Sequence, residues 1–180
     1  KNTQLFVMSD EYDRWMEAYS TESRTCCGEF LDLWVKTVGR MRIIRTDNAR
    51  EFKEANAPLR AAADKWLKDG EPIKVEHGPP YSPWSNGLAE RANRTVIEII
   101  RSSLVGCDPK CWDLAANAAA HVINRVLVRR WRPPGSSDKK VDKTAYQIRF
   151  KKKPPIGYFR RWGCLCFCKD VSPDSKTAPR

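Results

Sequence analysis

The 180 residues are 41% hydrophobic and include seven Trp, which suits one proper core with at most a small appendage. The formal net charge of +11 points to a polyanion such as nucleic acid, and more weakly to an anionic membrane surface. No uninterrupted apolar stretch has the length of a bilayer-spanning helix, no signal-peptide pattern opens the chain, and the absent initiator Met suggests a piece of something longer.

Residues 5–8 form a short apolar run ended by Ser9-Asp10-Glu11, which reads as a strand meeting a turn, and residues 15–19 alternate well enough to be its hairpin partner. Thr21 opens a helical pattern in which Phe30, Leu33, Trp34 and Thr37 share a face, with Gly39 as its stop. A strand over 41–46 then ends at Asp47. Residues 58–68, rich in Ala and Leu, predict a second helix closed by Gly70, and 73–76 a short strand. The Pro-rich loop Gly78-Pro79-Pro80-Tyr81-Ser82-Pro83 leads to a long amphipathic helix beginning near Asn86. Its apolar positions Leu88, Ala92, Val96, Ile99, Ile100 and Leu104 advance by three or four and form one stripe. Another helix is expected over 109–128, with Trp112, Ala115, Ala116, Ala119, Val122 and Ile123 as its core side. Strands first, helices later and further strands between them define an α/β class with a mixed sheet.

From 131 to 143 the composition turns to Pro, Gly, Ser, Asp and Lys, so we divide the chain into a core, 1–130, and a linker with a basic extension, 131–180. The charge follows this division. Residues 1–124 carry 17 Lys+Arg against 18 Asp+Glu, and residues 125–180 carry 16 against 4, so the last third holds a net +12. Lys151-Lys152-Lys153 and Arg160-Arg161 are its densest runs and candidate nucleic-acid contacts; a merely solvated surface is the plainer alternative. Seven cysteines without a disulfide spacing fit a reducing, intracellular setting. Cys164, Cys166 and Cys168 alternate as small hydrophobes along an apparent strand, where a zinc site would want ligands in a tight turn.

Two carboxylates hold positions suited to metal-ion chemistry. Asp47 closes a predicted strand, where ligands bind in α/β sheets, and Glu90 lies in the first turns of the long helix. Phosphoryl transfer of the two-metal type needs several hard oxygen ligands converging on Mg²⁺, and an Asp and a Glu from different elements suit that task. The same residues have a plainer use: Asp47 capping a turn through Asn48, and Glu90 pairing with Arg94 at i+4 on a solvated face. Spacing alone leaves both open, with the plainer reading ahead.

Six segments shift that balance. Arg45-Thr46-Asp47-Asn48-Ala49-Arg50-Glu51-Phe52 resembles a signature of copia-type retrotransposon integrases in which Asp-Asn is followed by Gly-Gly-Glu-Phe. Tyr81-Ser82-Pro83-Trp84-Ser85-Asn86-Gly87-Leu88-Ala89-Glu90-Arg91 is similar to that family's second signature. Trp112-Asp113-Leu114-Ala115, Ala120-His121-Val122-Ile123-Asn124-Arg125, Thr144-Ala145-Tyr146 and Trp162-Gly163-Cys164 resemble its downstream landmarks in the same order. The match covers nearly the whole chain, and several segments in register are specific where one is not.

The resemblance implies a ribonuclease-H-like mixed sheet flanked by helices and an Asp-Asp-Glu triad holding two Mg²⁺ or Mn²⁺ ions. It makes Asp47 the second acid and Glu90 the third, as catalytic and metal-binding residues facing each other across roughly 4 to 8 Å. Asn86 matches a polar position on the loop that approaches the DNA end, and Arg94, one turn beyond Glu90, offers a phosphate contact. The implied function is metal-dependent polynucleotidyl transfer joining element DNA 3′ ends to a target duplex, by a homo-oligomer when full length. No membrane partner is implied, and localisation is intracellular, nuclear at the integration step. Ala49 and Arg50 replace the usual Gly pair, and Trp84 stands where Gln or Glu is common. The first strand and its Asp fall upstream of Lys1; Asp10 aligns with a different acid of the family. His77 and His121 cannot rebuild the family's zinc-binding amino-terminal domain. Alternatives are a catalytically dead relic or co-opted nucleic-acid binder of the same fold, and a nuclease acting on RNA–DNA hybrids, against which the Asn-Gly-Leu-Ala-Glu-Arg loop argues.

Overall fold

The computed structural model describes residues 4–47, 49, 52, 57–68, 70–79, 87–133, 135–137 and 139–164. Strands β1 (Gln4–Ser9) and β2 (Met16–Thr21) form an antiparallel hairpin with Gln4 opposite Thr21 and Ser9 opposite Met16. A carboxylate builds the turn between them: Asp10 Oδ1 accepts the backbone N–H groups of Tyr12 (2.7 Å) and Asp13 (3.0 Å). A 3-10 turn, Arg24–Cys26, capped by Ser23, leads into α1 (Cys27–Thr37). The helical pattern read from Thr21 therefore starts later, because Thr21 is still paired in β2. Leu33, expected on the core face, is 43% exposed, and Leu31 is fully buried with Trp34 instead.

Strand β3 (Ile43–Thr46) pairs in parallel with β4 (Lys74–His77), through a crossover containing α2 (Pro58–Lys65). α2 stops short of the expected 68 because Trp66 leaves helical geometry, with ψ at 73°. Helices α3 (Gly87–Ser103) and α4 (Trp112–Val126) follow, with a 3-10 turn at Pro109–Cys111. The stretch read as a linker is framed by strands. β5 (Val128–Trp131) and β6 (Val141–Thr144) pair antiparallel, and α5 (Ala145–Phe150) follows with a capping box between Thr144 and Gln147. Ala145, Tyr146 and Ile148 are buried, so the basic third of the chain contributes to the core.

Period-two alternation along β2 divides the interior in two. Trp15 and Tyr19 face α1 and α2 with Leu31, Trp34, Leu59 and Ala63, while Met16 and Ala18 face α3 and α4 with Val96, Ala116, Ala119 and Ile123. Close approach of α1 to α2 needs Gly28, since a Cβ there would lie 2.5 Å from the Pro58 carbonyl oxygen. On the far face, the buried Asn124 side chain accepts from the Met16 N–H (2.8 Å) and donates to the Met16 carbonyl (2.7 Å). β2 is thereby locked to α4.

Candidate active site

Among the described residues β1 pairs only with β2, and β3 only with β4. Their other edges face a cavity of about 890 Å³ lined by all of Gln4–Ser9 and Ile43–Thr46. The cleft continues to Asp47 at the carboxyl end of β3 and to Leu88, Ala89 and Asn93 of α3. A strand end and a helix start thus converge on a cavity between two sheet edges.

Asp47 is exposed there, and its Oδ1 accepts the Ala49 N–H at 3.1 Å, so the turn-capping use read from the sequence is made as well. Behind it, Thr46 Oγ1 lies 2.9 Å from His77 Nδ1, and the Gly78 N–H donates to the Thr46 carbonyl (3.0 Å). These bonds fix the strand end. Arg45 reaches Glu76 (3.5 Å) and Glu11 (3.9 Å) across the surface. Lys74 first, and Arg45 second, hold the Glu76 carboxyl below its ordinary range.

Glu90 is exposed in the first turn of α3. Glu90 and Arg94 each follow a cleft-lining residue, Ala89 and Asn93, by one position, about 100° further round the helix. The structure brings the Glu90-bearing turn to the cleft that Asp47 lines, with Arg94 exposed on the adjoining face. Asn86 lies outside the described residues. Two neighbours were not assigned to the site from the sequence: Asn93, which lines the cleft, and His77, whose Nε2 is shielded without a hydrogen-bond partner among the described residues. The period of the helix could have found Asn93, while His77 needed the parallel register of β3 with β4. Asp10 lines the cleft too, but its carboxylate serves the turn and lies 4.0 Å from Arg149.

No three His, Cys, Asp or Glu residues gather as a metal-ligand group among the described residues. Cys164 is an exposed free thiol, and Cys166 and Cys168 lie outside the described residues. Lys151, Lys152, Lys153, Arg160 and Arg161 are exposed. Arg160 Nη1 donates to the carbonyls of Phe159 (2.9 Å) and Gly157 (3.3 Å), and Lys151 Nζ stands 5.7 Å from the Trp131 ring centre.

No family model matches the chain. It is 25% identical over 158 residues, 86% of its length, to the Gag-Pol polyprotein of woolly monkey sarcoma virus. It is 34% identical over 92 residues, half of its length, to a retrovirus-related Pol polyprotein from transposon TNT 1-94 of Nicotiana tabacum. The chain spans 8% of the first polyprotein and 6% of the second. Among solved structures it is similar to the simian T-cell lymphotropic virus intasome, determined in complex with the PP2A regulatory subunit B56 gamma. That likeness has a TM-score of 0.61 at 20% identity and covers 93% of this chain and 52% of that one. The HTLV-2 integrase catalytic core, determined with magnesium in a dimeric form, gives 0.56 at 21% identity over 81% of this chain and 83% of that one. The BIV integrase catalytic core gives 0.54 at 20% identity over 84% and 91%. The mixed α/β fold is that of retroviral integrase catalytic cores, a ribonuclease-H-like architecture.

Proposed function

We propose that this chain is the catalytic core of a copia-type retrotransposon integrase, joining element DNA 3′ ends to a target duplex by metal-dependent polynucleotidyl transfer. The observation that carries the reading is the convergence on one cleft of Asp47, at the end of β3, and of the first turn of α3, which bears Glu90. The plant transposon polyprotein and the viral integrase cores support it from outside the chain. The donor chemistry fits a hard cation: two exposed carboxylates on separate rigid elements. Asp47 and Glu90 would hold Mg²⁺ or Mn²⁺, two ions in a complete site, which when bound supplies activation of an attacking 3′ hydroxyl and stabilises the leaving oxygen. The hydrogen bonds at Thr46 and Ala49 orient Asp47 beforehand. Asn93 offers an amide to a phosphate or base at the cleft, and Arg94 a charge-assisted donor to phosphate. Asn86 would meet the DNA end. The 151–153 and 160–161 clusters would hold the backbone with little choice of sequence.

The gap between β1 and β3 is, on this reading, the seat of a first strand preceding Lys1 that carries the remaining acid. Among the described residues neither edge pairs with a further strand, and an open strand edge is a template for an inserted strand. The full-length enzyme would act as a homo-oligomer, within the cell and in the nucleus at the integration step. The test is joining of a labelled donor end to plasmid in Mn²⁺. The 180 residues alone should bind DNA without joining it, a form extended upstream through a first-strand Asp should join, and the extended Glu90→Gln form should not. Robust joining by the unextended chain would overturn the placement of the first acid. An inactive extended form would favour the second reading, a DNA-binding relic of the same fold.

A further inference from the structure

The turn between β1 and β2 and the β5–β6 hairpin enclose a second hollow, of about 620 Å³. Two hydrogen bonds dock the hairpin there: Arg129 Nη1 donates to the Arg14 carbonyl (3.2 Å), and Trp131 Nε1 donates to the Tyr12 carbonyl (3.0 Å). Five cationic side chains line the space, those of Arg14, Arg129, Arg130, Arg132 and Lys140. Glu11 is the acid in the lining, and it also faces Arg45 at 3.9 Å. Asp142 stands opposite Arg130 in the hairpin register. Asp13, the nearest buried carboxylate in the turn, is taken by Arg149 Nε (2.6 Å) and the Trp15 N–H (2.8 Å).

Among the described residues the cations are therefore crowded and outnumber the acids around them. Arg14 Nη1 is shielded from solvent and has no hydrogen-bond partner among the described residues. Burial first, and the Arg14 charge second, hold the Arg129 guanidinium below its ordinary value. Leaving a buried charged donor unpaired is costly, so an anion that reaches Arg14 Nη1 from the hollow would be favourably bound. Four of the five groups are guanidiniums, whose planar forks match phosphate oxygens two at a time. The cationic surface also continues outward, because Lys143 and Lys151 lie 5.4 and 5.7 Å from the centre of the Trp131 ring. A row of cations leading out of a hollow suits a polymer of regular charge better than a single small anion.

We infer that this hollow is a nucleic-acid site, binding the phosphodiester backbone apart from the Asp47 and Glu90 cleft. The two cavities share Glu11 and Tyr12, so one duplex lying along the β1–β2 turn reaches both. The site stands on its own charge and geometry and does not need the chain to be catalytic.

The experiment is anisotropy titration of a labelled duplex across roughly 50 to 200 mM salt. The triple variant R130Q/R132Q/K140Q should bind roughly tenfold more weakly, and its slope of log affinity against log salt should fall by about 0.9 for each phosphate it no longer neutralises. A control of equal charge, R60Q/K68Q/K110Q, removes exposed cations elsewhere and should keep the slope. Equal losses in both would reduce the hollow to net charge and overturn the inference. So would polyglutamate of matched charge competing as well as unlabelled duplex, which would assign the hollow to acidic peptides. Arg14→Gln keeps the backbone demand of φ 64° while removing the orphan cation. It should melt at the wild-type temperature or above without DNA, and lose much of the rise in Tm that DNA gives the wild type. A lower DNA-free Tm would mean that the protein itself satisfies Arg14, and the inference would fail.

Discussion

β1 and β2 are partners in one hairpin, yet they live in different surroundings. Met16, Ala18, Tyr19 and Thr21 of β2 are buried, and helices cover both faces; in β1 only Met8 is buried. The difference arises at the edges. β2 is fixed from α4 by Asn124, whereas the outer edge of β1 looks across a gap at β3. Asp47 and the Glu90-bearing turn sit at the mouth of that gap. The lesson is a division of labour: a dry, hydrogen-bonded half supplies rigidity, and a half with a cavity along its strand edges supplies room for ligands.

Asn124→Ala should break the closed half with the largest effect. It strands the Met16 N–H and carbonyl together in the interior, and an unsatisfied buried backbone group costs on the order of 1–3 kcal/mol. Urea unfolding followed by circular dichroism should therefore show a loss of about 2–4 kcal/mol. A loss below about 1 kcal/mol would mean that water replaces the amide and that this half is not dry.

The open half should tolerate an equivalent insult. Ile43 lines the gap and is 45% exposed, so Ile43→Thr should change stability by no more than about 0.5 kcal/mol. The comparison sharpens when a strand is supplied: in the upstream-extended chain the same substitution should cost measurably more, because the side chain then packs beside a neighbour. Equal, small effects in both forms would argue that nothing enters the gap between β1 and β3.

These two halves were unequally legible in the sequence. α3 and α4 announce themselves by apolar residues at three- and four-residue spacing, and Ala92, Val96 and Ile100 are buried as that stripe requires. Asn124 gives no such signal, because a polar residue late in a helix reads as surface until its partner, 108 residues away, is known. The parallel register of β3 with β4 and the pairing of β5 with β6 are equally non-local; Pro, Gly and Lys between 131 and 143 looked like a linker because hairpin loops share that composition. At the site, the sequence contexts of Asp47 and Glu90 marked both as candidates. The cleft that Asp47 lines beside the Glu90-bearing turn was not legible, since it lies between strand edges that pair with no further strand among the described residues. The Arg14 and Arg129 hollow was hidden too: its cations come from segments more than a hundred residues apart.

The smallest expected effect tests how firmly the basic third is seated on α4. His121 Nε2 lies 3.1 Å from the Tyr158 hydroxyl, and its ring packs 5.6 Å from that of Phe159. Burial first, and the Arg125 charge second, hold its pKa below the ordinary 6.5. A base whose pKa is depressed by folding is protonated first in the unfolded chain as pH falls. Its contribution is therefore complete above 6.5 and diminishes as pH drops from 6.5 through the lower folded value. The ring is largely solvated, so screening keeps the effect to about 0.5 kcal/mol or less. Melting wild type and His121→Gln in parallel at pH 8 and pH 5.5 should show the wild type losing slightly more on acidification. A difference that is flat with pH would mean that His121 is as free to protonate in the fold as out of it, and that residues 158–159 do not press on α4 in solution.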